Sequence, residues 1–303
     1  MPQNAQILDQ SYEALYNLRT YDEKLIVPGF FGVSRQNYIV TFPRGGSDIT
    51  GAIVARGVRA DLYENFTDVS GIFRANPTIV KNPEVIDEIT YREMRELSYA
   101  GFGVFHDEAL QPLHKDRIPV VIKNTNRPND TGTFIRHDRE INSSNIVSGI
   151  SCDKGFTVLN IKKYLMNRQV GFTRKILGVL EDYNISFDHM PSGIDSISII
   201  MRSKEIHNRE EQVLNDIRDK CDVDELSVEH DLAILMIVGE GMHRIVGTAN
   251  TITHALAESK INLKMMNQGA SEISIMFGID VADADKAVKS TYEYCYNGKC
   301  LKV

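Results

Sequence analysis

The sequence predicts an α/β unit built on a mainly parallel sheet, followed by two small α+β units of the ferredoxin-like βαββαβ type. Two observations carry this. Residues 42–71, FPRGGSDITGAIVARGVRADLYENFTDVSG, read as strand, glycine-rich loop, helix, strand and polar loop. That unit builds sheets whose sites lie at the carboxyl ends of strands. From residue 156 onward the chain repeats itself at an offset of 76 residues.

The elements of the first unit follow in order. Leu8, Tyr12, Leu15 and Leu18 share one face of a packing helix over 7–18. Residues 24–31 read as a strand ending at Pro28-Gly29. The apolar run Tyr38-Ile39-Val40-Thr41-Phe42 leads into Arg44-Gly45-Gly46-Ser47-Asp48. Gly45 and Gly46 let backbone N–H groups approach an anion, and the following helix presents its positive end to the same place. Arg44 offers a planar fork for carboxylate or phosphate, and Asp48 can orient a cation. No Gly-Lys-Ser/Thr follows, so this is not the phosphate loop of common nucleotide hydrolases.

The helix over 48–57 turns Ile49, Ala52, Ile53 and Ala55 inward and stops at Gly57. A buried strand is expected over 60–63, with Asn65 to Asp68 as its polar turn. Residues 74–83, with two prolines, form a loop. A helix over 90–100 starts at Thr90, with Glu93 placed to complete a capping box. Glu93, Arg95 and Glu96 read as its solvated face. His106, Asp107 and Glu108 read as an acidic helix start, and no metal site is expected. The last strand covers 120–122, turn formers fill 124–133, and the linker lies in 136–144. The expected domains are 1–140, 150–228 and 229–303.

The repeat defines the rest. FTVLNI at 156 aligns with LAILMI at 232, Val170-Gly171 with Val246-Gly247, and Ile197-Ser198-Ile199 with Ile273-Ser274-Ile275, all at an offset of 76. Each copy reads strand, glycine turn, helix, strand, loop, strand. Ile176, Val179, Leu180 and Tyr183 line one helix, and Ile252, Leu256 and Ser259 the other. Closing helices are expected over 210–220 and 282–294. Asp188, in the loop after the first helix, is either a partner for a ligand ammonium or exposed polar surface. Its equivalent, 188 + 76 = 264, is Lys264, so the two copies cannot hold the same cation in the same way.

With 303 residues, 42% hydrophobic and 25% charged, the chain has the composition of a soluble globular protein. A formal net charge of −7 argues against nucleic-acid and acidic-membrane partners. No apolar run reaches membrane-span length, and the first residues lack a signal-peptide pattern. Cys152, Cys221, Cys295 and Cys300 do not form a zinc or disulfide framework. The expected compartment is the cytoplasm.

Four blocks, 42–51, 61–72, 91–110 and 118–133, resemble the aspartokinases of the amino-acid kinase superfamily, and the repeat resembles their tandem ACT domains. The resemblance implies ATP-dependent phosphorylation of L-aspartate to 4-phospho-L-aspartate, with Mg2+, at the head of the route to lysine, threonine and methionine. It implies that Arg44, Gly45, Gly46 and Ser47 bind aspartate, with Gly29 and Phe30 near its pocket. Asp48 would orient the catalytic lysine, and Thr67, Asp68 and Phe73 would hold the adenosine side of ATP. Ser186, Asp188 and Ser192 would bind an amino-acid effector, lysine ahead of threonine. The ACT pair implies a homodimer or higher homo-oligomer. Two basic positions of the family are Thr78 and Gly103 here, and Arg74 or Lys81 are candidates to compensate. The family's Lys-Phe-Gly-Gly loop is not in the sequence. The expectation is therefore a chain without the family's N-terminal third and inactive alone. The alternative is a non-catalytic amino-acid-sensing subunit.

Overall fold

The computed structural model describes residues 7–42, 45–102, 107–141, 146–242, 245–269 and 273–297. In the N-terminal half, α1 (Asp9–Tyr16) packs on α2 (Gly46–Gly57), between which lies a hairpin of β1 (Phe31–Val33) and β2 (Ile39–Thr41). Then follow β3 (Tyr63–Thr67), β4 (Glu88–Thr90), α3 (Tyr91–Tyr99), α4 (Asp107–Lys115), β5 (Val120–Asn124) and β6 (Thr133–Arg136). The sheet order is β3-β5-β6-β4. The β3·β5 and β4·β6 pairs are parallel and β5·β6 is antiparallel. Ile49, Ala52 and Ile53 of α2 bury into the same core as Leu113 of α4 and Ile122 of β5.

Three expectations are corrected here. The run 38–42 forms a separate hairpin with 31–33, not a strand of the main sheet, and Tyr38 and Ile39 are 72% and 74% exposed. Residues 24–30 form no strand. The strand expected over 60–63 begins only at Tyr63. The helix end is extended by Ala60 N–H donating to Ala55 O, with Arg59 at φ 52°. Strand β3 therefore absorbs Asn65 to Thr67, which had read as a turn.

The C-terminal half contains β7 (Gly149–Lys162), α5 (Phe172–Asp182), β8 (Ser196–Arg202), α6 (Ser203–Ile206), α7 (Glu210–Cys221), β9 (Glu225–Val238), α8 (Thr248–Glu258), β10 (Met265–Asn267), β11 (Ser274–Asp280) and α9 (Ala284–Tyr296). The shared strands and the first helices repeat at the expected offset, since 225 − 149, 238 − 162, 248 − 172 and 258 − 182 all equal 76, but β8 and β11 are offset by 78 (274 − 196). The expected match of 197–199 with 273–275 is therefore two residues out of register: Ile197 is the equivalent of Ile275. Both copies share one antiparallel sheet, β10-β11-β9-β7-β8. Strands β7 and β9 pair along their whole length, from Gly149↔Val238 to Lys162↔Glu225, with a bulge around Phe156. A strand of this length spans about 46 Å, enough for two cores. Leu159 and Ile161 of β7 pack into the core of the first copy. Ile150, on the same strand, packs with Ala233, Leu235 and Ile237 into the core of the second. The boundaries expected at 150 and 229 thus fall inside shared strands.

The other sheet face, including Phe156, Leu232, Ile234 and Met236, joins the core of the N-terminal half. The junction is sealed by a buried ion pair. Arg139 donates to Glu93 Oε1 and Oε2 at 2.6 and 2.8 Å. Their side chains are 1% and 0% exposed. Glu93 also accepts from Thr90 N, Ser148 Oγ and Glu240 N. Burial opposes ionisation of Glu93, but Arg139 and the Thr90 and Ser148 donors outweigh it, and its pKa lies below the ordinary value. Glu93 caps α3 as expected, yet it is not on a solvated face. Among the described residues, no helix is long and apolar enough to cross a membrane.

Candidate functional site

The site is built at the start of α2. Gly45 caps the helix at φ 87°, a conformation that disfavours a side chain. A Cβ on Gly46 would lie 2.8 Å from Phe42 Cβ and 2.9 Å from the Phe30 ring, so only glycine fits. Thr50 ties this turn to its neighbour. Its hydroxyl donates to Gly46 O at 2.7 Å and accepts from Phe30 N at 2.9 Å. Gly29 and Phe30 therefore do lie against the glycine turn. Phe30 is 45% exposed. The first intrahelical bond in this turn runs from Ile49 N to Gly45 O. The amides of Gly46, Ser47 and Asp48 precede it and are the orphan donors of a helix N-terminus.

Ser47 is exposed and Asp48 half-buried. Asp48 Oδ1 accepts from Asn65 Nδ2 at 3.1 Å. Asn65 is 8% exposed and also donates to the Tyr63 hydroxyl at 3.2 Å. Burial raises the Tyr63 pKa, against the Asn65 bond and with the help of Asp48. Asn65 is the buried polar residue of this candidate site that sequence reasoning missed. The alternation of β3, with Asn65 inward between exposed Glu64 and Phe66, is the signal that could have found it. Arg44 lies outside the described residues, as do Gly103 and His106.

Thr67 ends β3 on the same face as Asn65, two residues on. Its hydroxyl donates to Asp68 Oδ1 at 3.2 Å, and its carbonyl accepts from Thr125 N at 2.8 Å. Asn124, at the end of the adjacent parallel β5, donates to Asp68 O at 3.3 Å and to Ser70 Oγ at 3.1 Å. Thr67, Asp68 and Asn124 thus gather at the carboxyl ends of two parallel strands, where α/β sheets place ligands. Phe73 is half-buried and bridges Val85.

Arg74 is not available as a phosphate contact. It pairs with Glu84 at 3.1 Å, donates to Val147 O at 3.1 Å and lies 4.8 Å from the Tyr296 ring centroid. Thr78 is likewise engaged in a local turn on Asn76 Oδ1. Lys81 lines a groove of about 500 Å³ with Glu84 and Lys289, against α9. Among the described residues, no cluster of three His, Cys, Asp or Glu could hold a metal.

In the first repeat copy, Ser186, Asp188 and Ser192 lie on the loop that runs back along β8. Asp188 N donates to Ile200 O at 2.8 Å, and Ser192 bridges Ile197. Ser186 is exposed beside a groove of about 530 Å³ with Leu177 and Phe187. Asp188 is half-buried and accepts a hydrogen bond from the Tyr99 hydroxyl. In the second copy Lys264 pairs instead with Glu229 and lies 3.7 Å from Asp280. A groove of about 760 Å³ lies around His207, Arg209 and His230, where His230 sits 3.3 Å from Glu210.

Residues 2–124 match the profile of the Amino acid kinase family, and residues 235–294 match an ACT domain profile. The chain is 50% identical over 298 residues to Aspartokinase 3 of Bacillus subtilis, covering 98% of this chain and 65% of that protein. It superposes on the crystal structure of Clostridium acetobutylicum aspartate kinase with a TM-score of 0.90 at 43% identity, covering 97% of this chain and 68% of that one. It superposes on E. coli aspartokinase III in complex with aspartate and ADP with a TM-score of 0.72 at 25% identity, covering 88% and 59%. The same E. coli protein in complex with lysine and aspartate gives 0.71, with the same identity and coverage. The chain spans just under two thirds of the length of the Bacillus relative.

Proposed function

The chain belongs to the aspartate kinase family, and from that premise we propose that it carries the acceptor and adenosine sides of a site that phosphorylates L-aspartate from ATP, giving 4-phospho-L-aspartate. The observation that carries this is the Asp48–Asn65 hydrogen bond, which joins the start of α2 to the strand that ends at Thr67 and Asp68. Phosphoryl transfer is mainly positioning and charge neutralisation. Arg44 takes the α-carboxylate of aspartate, while the Gly45-Gly46 turn and Ser47 supply donors to the acceptor side. Thr67 and Asp68 take the adenosine side, with Phe73 against the base. Asp48 orients the family's catalytic lysine. Mg2+ supplies charge neutralisation when bound with the nucleotide, and the oxygen donors of Asp48, Thr67 and Asp68 are the kind it takes.

The first repeat copy binds an amino-acid effector, lysine before threonine, through Asp188, Ser186 and Ser192. E. coli aspartokinase III has been solved with lysine, and in the second copy the equivalent position is filled by Lys264, already paired. The repeat pair also serves homodimerisation. Val170 and Val246, at equivalent turns, are 99% and 86% exposed, and apolar groups placed so suit an interface. The setting is cytoplasmic.

The test is aspartate-dependent ADP formation by this chain, alone and with a second polypeptide carrying a Lys-Phe-Gly-Gly loop. Little turnover is expected alone and a rise on addition. Asp48→Asn should cut the restored rate by about 10²–10³-fold. If lysine binds but no addition restores turnover, the second reading stands, a non-catalytic amino-acid-sensing subunit. That reading is favoured by the complete five-stranded repeat sheet.

A further inference from the structure

We propose that Tyr99 is a regulatory latch: its hydroxyl occupies Asp188 when no effector is bound, so that a cationic ligand must displace it, and binding in the first repeat copy is thereby reported to the end of α3. This rests on the reading of Asp188 as the ammonium partner of the effector.

Tyr99 is the last residue of α3 and belongs to the N-terminal half, whereas Asp188 belongs to the effector loop. The contact has a second component, because the Tyr99 ring meets the His189 ring edge-on at 5.9 Å. Burial, and then Asp188 itself, raise the Tyr99 pKa. The proton stays on the phenol and Tyr99 is the donor. A third tie lies alongside. Asp153 of β7 pairs with Arg202 at the end of β8 at 2.7 Å, and a Cβ on Gly101 would lie 3.7 Å from Asp153. The turn after α3 therefore rests on the first copy through Tyr99 and Gly101 together.

The loop of the second copy docks in the same way. There Lys264 N donates to Gly278 O, and in the first copy Asp188 N donates to Ile200 O. Ile200 pairs with Val158 and Gly278 with Ile234, and 234 − 158 is again 76, so the two loops dock at equivalent places. The head groups differ. Lys264 is paired to Glu229 on the shared strand β9, the equivalent of Asp153 on β7 (229 − 76 = 153). Asp188 is held instead by a residue from the other half of the chain. Because a ligand ammonium and the Tyr99 hydroxyl share one carboxylate, ligand and latch are linked, and each weakens the other by the same factor.

The experiment is calorimetric titration of the 303-residue chain with L-lysine, comparing the parent with Tyr99→Phe, Asp188→Ala and Tyr164→Phe. Tyr99→Phe keeps the ring on His189 and removes the hydroxyl alone. It should bind lysine about tenfold more tightly, the size expected for one hydrogen bond to a charged group. Asp188→Ala should abolish binding, and Tyr164→Phe, at a 73% exposed position, should change nothing. Unchanged or weaker binding by Tyr99→Phe overturns the latch. If the parent itself does not bind lysine, the effector placement fails instead. The latch is then decided by amide exchange of the unliganded chain. Several-fold faster exchange at Asp188 and His189 in Tyr99→Phe upholds it, and unchanged exchange overturns it.

Discussion

Glu93 accepts from Arg139, Thr90, Ser148 and Glu240, so one carboxylate holds α3, the linker and the end of the repeat sheet where Gly149 pairs with Val238. Removing Arg139 would leave that charge buried and uncompensated. Arg139→Ala should lower stability by about 3–5 kcal/mol in urea unfolding. Glu93→Gln should instead change the pH dependence. The folded pKa of Glu93 lies below its unfolded value of about 4.3. Its contribution is therefore full above that pH and is lost as pH falls through the folded pKa. The parent should lose stability across this acid window, and the glutamine variant should lose less. None of this was legible in 91–99, where Glu93, Arg95 and Glu96 make an ordinary charged helix face. The capping role is local and could be read there. The burial depends on Arg139 and Glu240, 46 and 147 residues away. Asn65 was missed for a related reason: as a turn former it reads as a loop residue until β3 is known to run through it.

The repeat made the elements of the C-terminal half readable, because two copies of one pattern check each other. Helices α5 and α8 both start after a glycine in the left-handed region, Gly171 at φ 81° and Gly247 at φ 91°. A Cβ at either would meet nothing within 4 Å. The cost of alanine is then backbone strain alone. Gly171→Ala and Gly247→Ala should each destabilise by roughly 1–2 kcal/mol, by similar amounts, in thermal or urea unfolding. A much larger loss at one would mean that its turn is packed against something further. The N-terminal elements had no such internal check. There the apolar stretch Ala60 to Tyr63 suggested a strand, but tertiary hydrogen bonding assigned its first part to the end of α2.

At the scale of the whole molecule, the offset of 76 is the same whether the two copies follow one another or share strands, so the interleaving was invisible to arithmetic on the sequence. It has a direct test. Fragments beginning at residue 146 and at residue 156 both lack the N-terminal half and expose the same sheet face, but only the first keeps 149–154, which pair with 233–238. The first fragment should protect amides in both copies against exchange. The second should protect the first copy and leave α8, β11 and α9 unprotected. Equal protection in both would mean that each copy has a complete core of its own. The sharing of β7 also sets an order of events on the ribosome. The start of β7 is made early, yet its partner Val238 follows Gly149 by 89 residues (238 − 149). At ordinary translation rates that strand waits on the order of ten seconds for its ladder. During that interval residues 156–231 can close their own core, so the inner copy is the natural nucleus onto which the outer one assembles.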